Sequence, residues 1–181
     1  MENILRRFNV EIKNRRTPRQ VKSKVENLIN NLSYDNKLRF LHFTAKSFLP
    51  LYMYKDGYTK KAAVPAAINA IEKYIKDRTE ENANECSKLH DMCCNIGNSL
   101  FDNVNLRESD SFEAADATYA IAYSLAGIIN KEHIDNYISD VFEFDAYSFI
   151  IANVCDSVIA YGNELLKTQS KEVYTFDDRS I

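Results

Sequence analysis

Residues 45–75 read AKSFLPLYMYKDGYTKKAAVPAAINAIEKYI and contain two of the three prolines of the chain. Proline locks φ, lacks a backbone N–H and disfavours helical geometry in the residue before it. We therefore predict that one helix ends near Leu49, just before Pro50, and that the next begins at about Pro65, because proline suits the first turn of a helix. The polar residues from Lys55 to Lys61 predict a loop between them. Two helices joined by a tight corner are the expected result.

Three more helix starts are marked by residues that cap a helix. Thr17-Pro18-Arg19-Gln20 is a capping box with proline at the first helical position, and Asp110-Ser111-Phe112-Glu113 is a second box. Thr79 can accept a hydrogen bond at the start of another helix. Apolar or small residues follow each start at helical spacing. These stripes comprise Val21, Val25, Leu28, Ile29 and Leu32 in the first helix, Cys86, Leu89, Cys93, Ile96 and Leu100 in the second, and Ala115, Thr118, Ala122, Leu125 and Ala126 in the third.

Helical periodicity also covers residues 35–49 and most of residues 130–165. The first segment is apolar over most of its circumference, so we expect it to be a central helix. The second segment predicts a short helix followed by a long one. Their apolar positions are Ile134, Ile138 and Val141 in the short helix and Tyr147, Ile151, Val154, Val158, Tyr161 and Leu165 in the long one.

The whole chain is predicted to be a single all-α domain, an irregular bundle of about six helices. Its 181 residues suffice for one sizeable core, and only four glycines and three prolines interrupt it, which disfavours a turn-dense β architecture. Residues 1–16 are predicted to form a basic N-terminal segment. The helical pattern stops after Lys167, so residues 168–181 are predicted to form a tail.

Three segments resemble a known family. The corner Leu49-Pro50-Leu51-Tyr52, the helix AAINAIEKYI of residues 66–75 and the alanine-rich helix AADATYAIAY of residues 114–123 resemble the all-α immunity proteins of bacterial polymorphic toxin systems. The chain departs from the family pattern at Met53, where an acidic residue is expected, and in the loop before Val64, which has no Arg-Pro pair. The resemblance implies a bacterial protein that binds a cognate toxin domain made by its own cell and neutralises it by stoichiometric occlusion.

Charge is distributed unevenly along the chain, although the net charge is only −3. The first 61 residues hold 14 Lys and Arg against 5 Asp and Glu, and the remaining residues hold 9 against 21. Because nuclease toxins are commonly basic, an acidic surface would steer such a partner toward this protein. The candidate partner-binding surface combines acidic and aromatic residues, as protein interfaces do. It comprises Glu132, Asp135, Asp140, Phe142, Glu143, Phe144, Asp145 and Tyr147.

Two alternatives to this surface stay open. Its aromatic residues Phe142, Phe144 and Tyr147 are the expected anchors, but they can instead pack inward beneath a polar connection. A second acidic series precedes and opens the alanine-rich helix, where carboxylates also stabilise the helix dipole. That series comprises Asp102, Glu108, Asp110, Glu113 and Asp116.

The sequence offers one route to catalysis. His42, His90 and His133 lie on three predicted helices, and three imidazoles can build a metal site in a helical bundle, so a metal-dependent hydrolase or transferase is the alternative function. No two of the three histidines are four residues apart in the sequence. Cys86 and Cys93 lie about 10 Å apart along a helix, which is too far for both to bind one metal ion. Glycine-rich phosphate loops and nucleophile elbows are absent. We therefore expect no enzyme activity, no metal and no cofactor.

Other partners and locations are not expected. The N-terminus MENILRR has no apolar segment behind its charges, and no apolar run is long enough to cross a bilayer, so a cytoplasmic protein without membrane contact is predicted. Four cysteines without paired spacing are expected to be reduced thiols. The basic cluster from Arg6 to Lys24 holds a single aromatic residue, Phe8, and the chain as a whole is acidic, which argues against nucleic acid as a partner. The oligomeric state does not follow from the sequence.

Overall fold

The protein is built from helices. The computed structural model describes residues 18–54, 59–102, 108–143 and 149–175. Within these ranges there are seven α-helices and no strand, which confirms the predicted all-α, irregular bundle. The helices are α1 (Pro18–Ile29), α2 (Tyr34–Met53), α3 (Ala63–Lys76), α4 (Glu80–Phe101), α5 (Glu108–Ile129), α6 (Ile134–Asp140) and α7 (Phe149–Thr175), and a 3₁₀ turn, Lys131–His133, leads into α6.

Helix α5 lies at the centre of the bundle. It packs most extensively on α4 and α2, and it also contacts α3 and α6. Its predicted stripe of small side chains, from Ala115 to Ala126, is buried, so the neighbouring helices approach closely. The buried hydroxyl of Thr118 donates to the carbonyl of Ala114 at 2.8 Å and is therefore satisfied within the helix. Helix α2, which the sequence predicts to be central, packs on both α5 and α7.

The corner at Pro50 differs from its prediction, because α2 continues through the proline to Met53. A proline inside a helix removes a hydrogen bond and costs about 3 kcal/mol. The next two residues, Leu51 and Tyr52, are buried, and burying large apolar side chains contributes about 1.5–3 kcal/mol each. The hydroxyl of Tyr52 also accepts a hydrogen bond from the backbone N–H of Lys61 at 2.5 Å. The free energy gained by this burial thus offsets the cost of a proline inside the helix. The predicted end of the helix near Leu49 was wrong.

Two other helix starts lie before their predicted positions. Helix α3 begins at Ala63, which leaves Pro65 in the first turn, where backbone N–H groups have no partner within the helix. Helix α5 begins at Glu108, so Asp110 lies inside the helix and is not its cap. The predicted cap of α4 is confirmed, because the side chain of Thr79 accepts a hydrogen bond from the N–H of Asn82.

Helix α7 is longer than predicted. It reaches Thr175, so the prediction of a tail was wrong for residues 168–175, whereas residues 176–181, like residues 1–17, lie outside the described ranges. Gln169 anchors the added turns: its side-chain oxygen accepts from the N–H of Ser33 and from the amide of Asn36, both at 2.9 Å. Because these contacts are polar, the spacing of apolar residues along the sequence did not predict them. Neither α7 nor any other described helix is long and apolar enough to span a membrane.

Candidate functional site

A cleft of about 490 Å³ opens where the C-terminal ends of α4 and α6 meet the middle of α5. Its lining combines carboxylates with aromatic rings. The carboxylates belong to Asp116, Asp140 and Glu143, and the rings belong to Phe101, Tyr119 and Tyr123. Residues that are far apart in the sequence therefore form one acidic, aromatic surface.

Helix α5 supplies one wall of this cleft. Asp116, Tyr119 and Tyr123 follow each other at spacings of three and four residues, so they share one face of the helix. Asp116 is only 8% exposed. The rings of the two tyrosines stack with their centroids 6.5 Å apart. This face therefore presents a carboxylate beside two aromatic rings.

Helix α4 supplies the opposite wall and is tied to α5 by a hydrogen bond. The hydroxyl of Tyr119 donates to Oδ1 of Asn98 at 2.6 Å. Gly97 permits this contact, because a Cβ at that position would lie 3.0 Å from the ring of Tyr119. Near the end of α4, Phe101 is 45% exposed and meets Phe112 edge to face with a centroid distance of 5.3 Å. An exposed ring is thus held at the rim of the cleft.

Negative charge exceeds positive charge on the α6 side of the cleft. Burial raises the pKa of Asp140, the nearby Glu143 carboxylate raises it further, and Lys22 of α1 partly offsets both effects. Lys22 also forms an ion pair with Glu143. A carboxyl group whose pKa is raised is held in surroundings that disfavour its charge. A positively charged ligand in the cleft would relieve this repulsion.

The predicted partner-binding residues lie in different surroundings in the structure. Asp140 and Glu143 line the cleft, and Glu132 is exposed on the 3₁₀ turn before α6. Asp135 forms an ion pair with Lys37 of α2 at 2.5 Å, as Glu143 does with Lys22 of α1, so each of these charges is partly compensated within the chain. The remaining members of the predicted surface, Phe144, Asp145 and Tyr147, lie outside the described residues.

Phe142 does not belong to the partner-binding surface that the sequence predicted. Its side chain is fully buried, and its ring lies 6.4 Å from that of Phe40. The polypeptide turns at the end of α6, with the N–H of Phe142 bonded to the carbonyl of Ser139, and this turn directs the ring into the core. The prediction that Phe142 is an exposed anchor was therefore wrong, and the alternative of inward packing holds at this position.

Among the described side chains of the second acidic series, one contributes to the cleft. Asp116 lines it, whereas Glu113 is buried in α5 and Asp102 follows the C-terminal end of α4. The tyrosines of α5 were not predicted to be site residues. Their spacing from Asp116 was the available signal, but that spacing also fits a buried helix face.

The three histidines lie in different surroundings. His42 is on α2, where burial first and then Lys46 lower its pKa, and the carboxylate of Glu72 on α3 opposes them. His90 contacts its helical neighbours on α4, and His133 is exposed on the 3₁₀ turn. Within the described ranges, no three His, Cys, Asp or Glu side chains are grouped so that they could hold a metal ion.

The basic cluster of the N-terminal region is only partly described. Arg19 and Lys24 are exposed on α1, but Lys22 is engaged by the acidic side of the cleft. Arg6, Arg7, Arg15 and Arg16 lie outside the described residues.

The lining of the cleft is suited to holding an organic cation. A guanidinium or ammonium group can donate hydrogen bonds to carboxylates, and it is attracted to the faces of aromatic rings within about 6 Å. Arginine and lysine side chains of another protein carry these groups.

Comparison of the chain with protein-family models, with curated proteins and with solved structures found no match.

Proposed function

We propose that this protein is an immunity protein of a bacterial polymorphic toxin system, which binds its cognate toxin domain and neutralises it by stoichiometric occlusion. The observation that carries the proposal is the cleft, in which Asp116, Asp140 and Glu143 lie beside the rings of Phe101, Tyr119 and Tyr123. The resemblance of the corner and the alanine-rich helix to immunity proteins supplies the class of partner. The acidic charge of residues 62–181 supports a basic one.

Each part of the cleft has a role in the proposed complex. Long-range attraction between the acidic surface and a basic toxin raises the rate of encounter. An arginine or lysine of the toxin then enters the cleft, where carboxylates accept its hydrogen bonds and the tyrosine rings of α5 cover its apolar stem. Contacts of this kind mainly slow dissociation. The body of the bundle then covers the toxin's active site or substrate groove.

Co-expression tests the proposal. The proposal predicts that a large secreted protein is encoded directly upstream of this gene, and that its C-terminal part is the toxin segment to use. Expression of that segment alone is expected to arrest growth, and co-expression of this protein is expected to restore it. Failure to restore growth, when both chains are present in soluble form, contradicts the proposed function.

A further inference from the structure

A cysteine, a histidine and an aspartate form a second group of reactive side chains, on α4 and outside the lining of the cleft. Nδ1 of His90 lies 3.1 Å from Oδ1 of Asp91, and Nε2 of His90 lies 3.5 Å from Sγ of Cys94. His90 and Cys94 are four residues apart and therefore share one face of the helix. Both residues are partly exposed, and Cys94 also packs against the edge of the core.

The carboxylate determines which nitrogen of His90 carries the proton. An ionised Asp91 only accepts hydrogen bonds, so Nδ1 must be the donor between them. Nε2 then presents its lone pair to Cys94, whose thiol donates to it. The hydrogen bond with Cys94 is the largest influence on the pKa of His90 and raises it, while burial lowers it and the bond with Asp91 raises it. The three side chains thus have the arrangement of an activated nucleophile, its base and the group that orients the base.

The other three cysteines have surroundings that suppress reactivity. Burial raises the pKa of Cys86 to about 11 and the pKa values of Cys93 and Cys155 to about 12. Since the thiolate is the nucleophile, these thiols are inert near neutral pH. Cys94 differs from them in being partly exposed and in having an imidazole as its neighbour.

Two polar side chains of the neighbouring helices, one on α3 and one on α5, are engaged with other partners. Helix α4 packs on α3 and α5. Lys73 of α3 forms an ion pair with Glu85 at 3.1 Å, and Tyr119 of α5 donates to Asn98. Cys94, burial and Asp91 are the main influences on the pKa of His90. The two side chains that shift this pKa therefore lie on α4, the same helix as the base His90.

We propose that Cys94 is a nucleophilic thiol, activated by His90, that exchanges with small disulfides to form a reversible mixed disulfide. The thiol proton passes to Nε2 of His90, and Sγ attacks one sulfur of the disulfide. The S–S bond of the small molecule breaks as a bond to Sγ forms, and the other half leaves as a thiolate that takes up the proton. Cys94 lies within α4, whose N–H groups are used by the helix, so an oxyanion is not stabilised there. The site therefore favours thiol exchange over acyl transfer.

Glutathione disulfide is a direct probe of this site. The 181-residue protein is incubated with it, and the adduct is located by intact-mass and peptide mass spectrometry. We expect one mixed disulfide, on Cys94, formed at pH 6.5 about tenfold faster than that of N-acetylcysteine. His90→Gln is expected to lower the rate about tenfold and to move the pH–rate profile to higher pH. His133→Gln, at an exposed histidine far along the chain, serves as the matched control and should change neither.

Two results overturn the proposal. One is a first adduct on another cysteine, or a rate at Cys94 no higher than that of N-acetylcysteine. The other is an unchanged rate and pH profile in His90→Gln. If circular dichroism shows that this variant does not fold, the comparison of the unmodified protein with N-acetylcysteine still decides the matter.

Discussion

The hydroxyl of Tyr119 donates a 2.6 Å hydrogen bond to Oδ1 of Asn98, and this bond joins the two helices that form the walls of the cleft. The contact depends on Gly97, which leaves room for the ring. The geometry of the cleft is therefore coupled to the packing of α4 on α5.

Tyr119→Phe should lower stability modestly. It removes the hydroxyl but keeps the ring, and a hydrogen bond of this kind contributes about 0.5–1.5 kcal/mol. In a protein of this size such a loss lowers Tm by about 2–4 °C per kcal/mol, which calorimetry can measure. Tyr54→Phe is the matched control, because Tyr54 is 83% exposed. An equal effect of the two substitutions would show that the bond between the helices does not stabilise the fold.

Gly162→Ala should destabilise the protein even though alanine favours helices. An added Cβ would lie 2.7 Å from Leu28 and 2.9 Å from Phe40, both buried. Overpacking of this kind costs about 1–3 kcal/mol, whereas the helix propensity gained is about 1 kcal/mol. Urea denaturation measures the balance. Asn163→Ala, at an exposed position of the same helix, should be neutral or slightly stabilising.

Asp140→Asn should stabilise the protein near neutral pH. The pKa of Asp140 is raised in the folded state, so the folded protein holds this proton more tightly than the unfolded chain. Stability therefore falls as pH rises through the interval from 3.8, the ordinary pKa, to the raised value, and the penalty is complete above it. The gain from Asp140→Asn should accordingly be present at pH 7 and vanish below about pH 4. Denaturation at several pH values tests this, with Glu164→Gln as the exposed control.

Phe142→Ala and Phe101→Ala should differ in their effect on stability, because one side chain lies in the core and the other on the surface. Phe142 is fully buried, and truncating such a side chain costs about 3–5 kcal/mol. Phe101 is 45% exposed at the rim of the cleft, so its truncation should cost far less stability while weakening the toxin complex. Denaturation and binding are measured on both variants. Similar losses of stability would contradict these placements.

The periodicity of the sequence predicts most of the helices, because burial of one face leaves a regular pattern along the chain. It does not predict where they end when an end depends on distant residues. Helix α2 passes Pro50 because Tyr52 is buried and reaches Lys61, and α7 passes Lys167 because Gln169 meets the turn between α1 and α2. Contacts of this kind exist only in the folded chain.

The candidate site was predicted in part. Composition identified Asp140 and Glu143, but it also selected Phe142, whose direction is set by the turn after α6. Tyr119 and Tyr123 were missed because tyrosines at helical spacing equally indicate a buried face. Only the packing of α4, α5 and α6 shows that these residues share one cleft.

Binding to the toxin is best measured by calorimetric titration with the toxin domain that the proposed function predicts directly upstream of this gene. We predict a 1:1 complex that is weakened about 30-fold, or about 2 kcal/mol, by Asp140→Asn combined with Glu143→Gln, because two of the three carboxylates that line the cleft are lost. Glu164→Gln, which removes an exposed charge on α7, should leave the affinity unchanged. Equal affinity of all three proteins would contradict binding through the cleft, and the absence of any complex would contradict the proposed function.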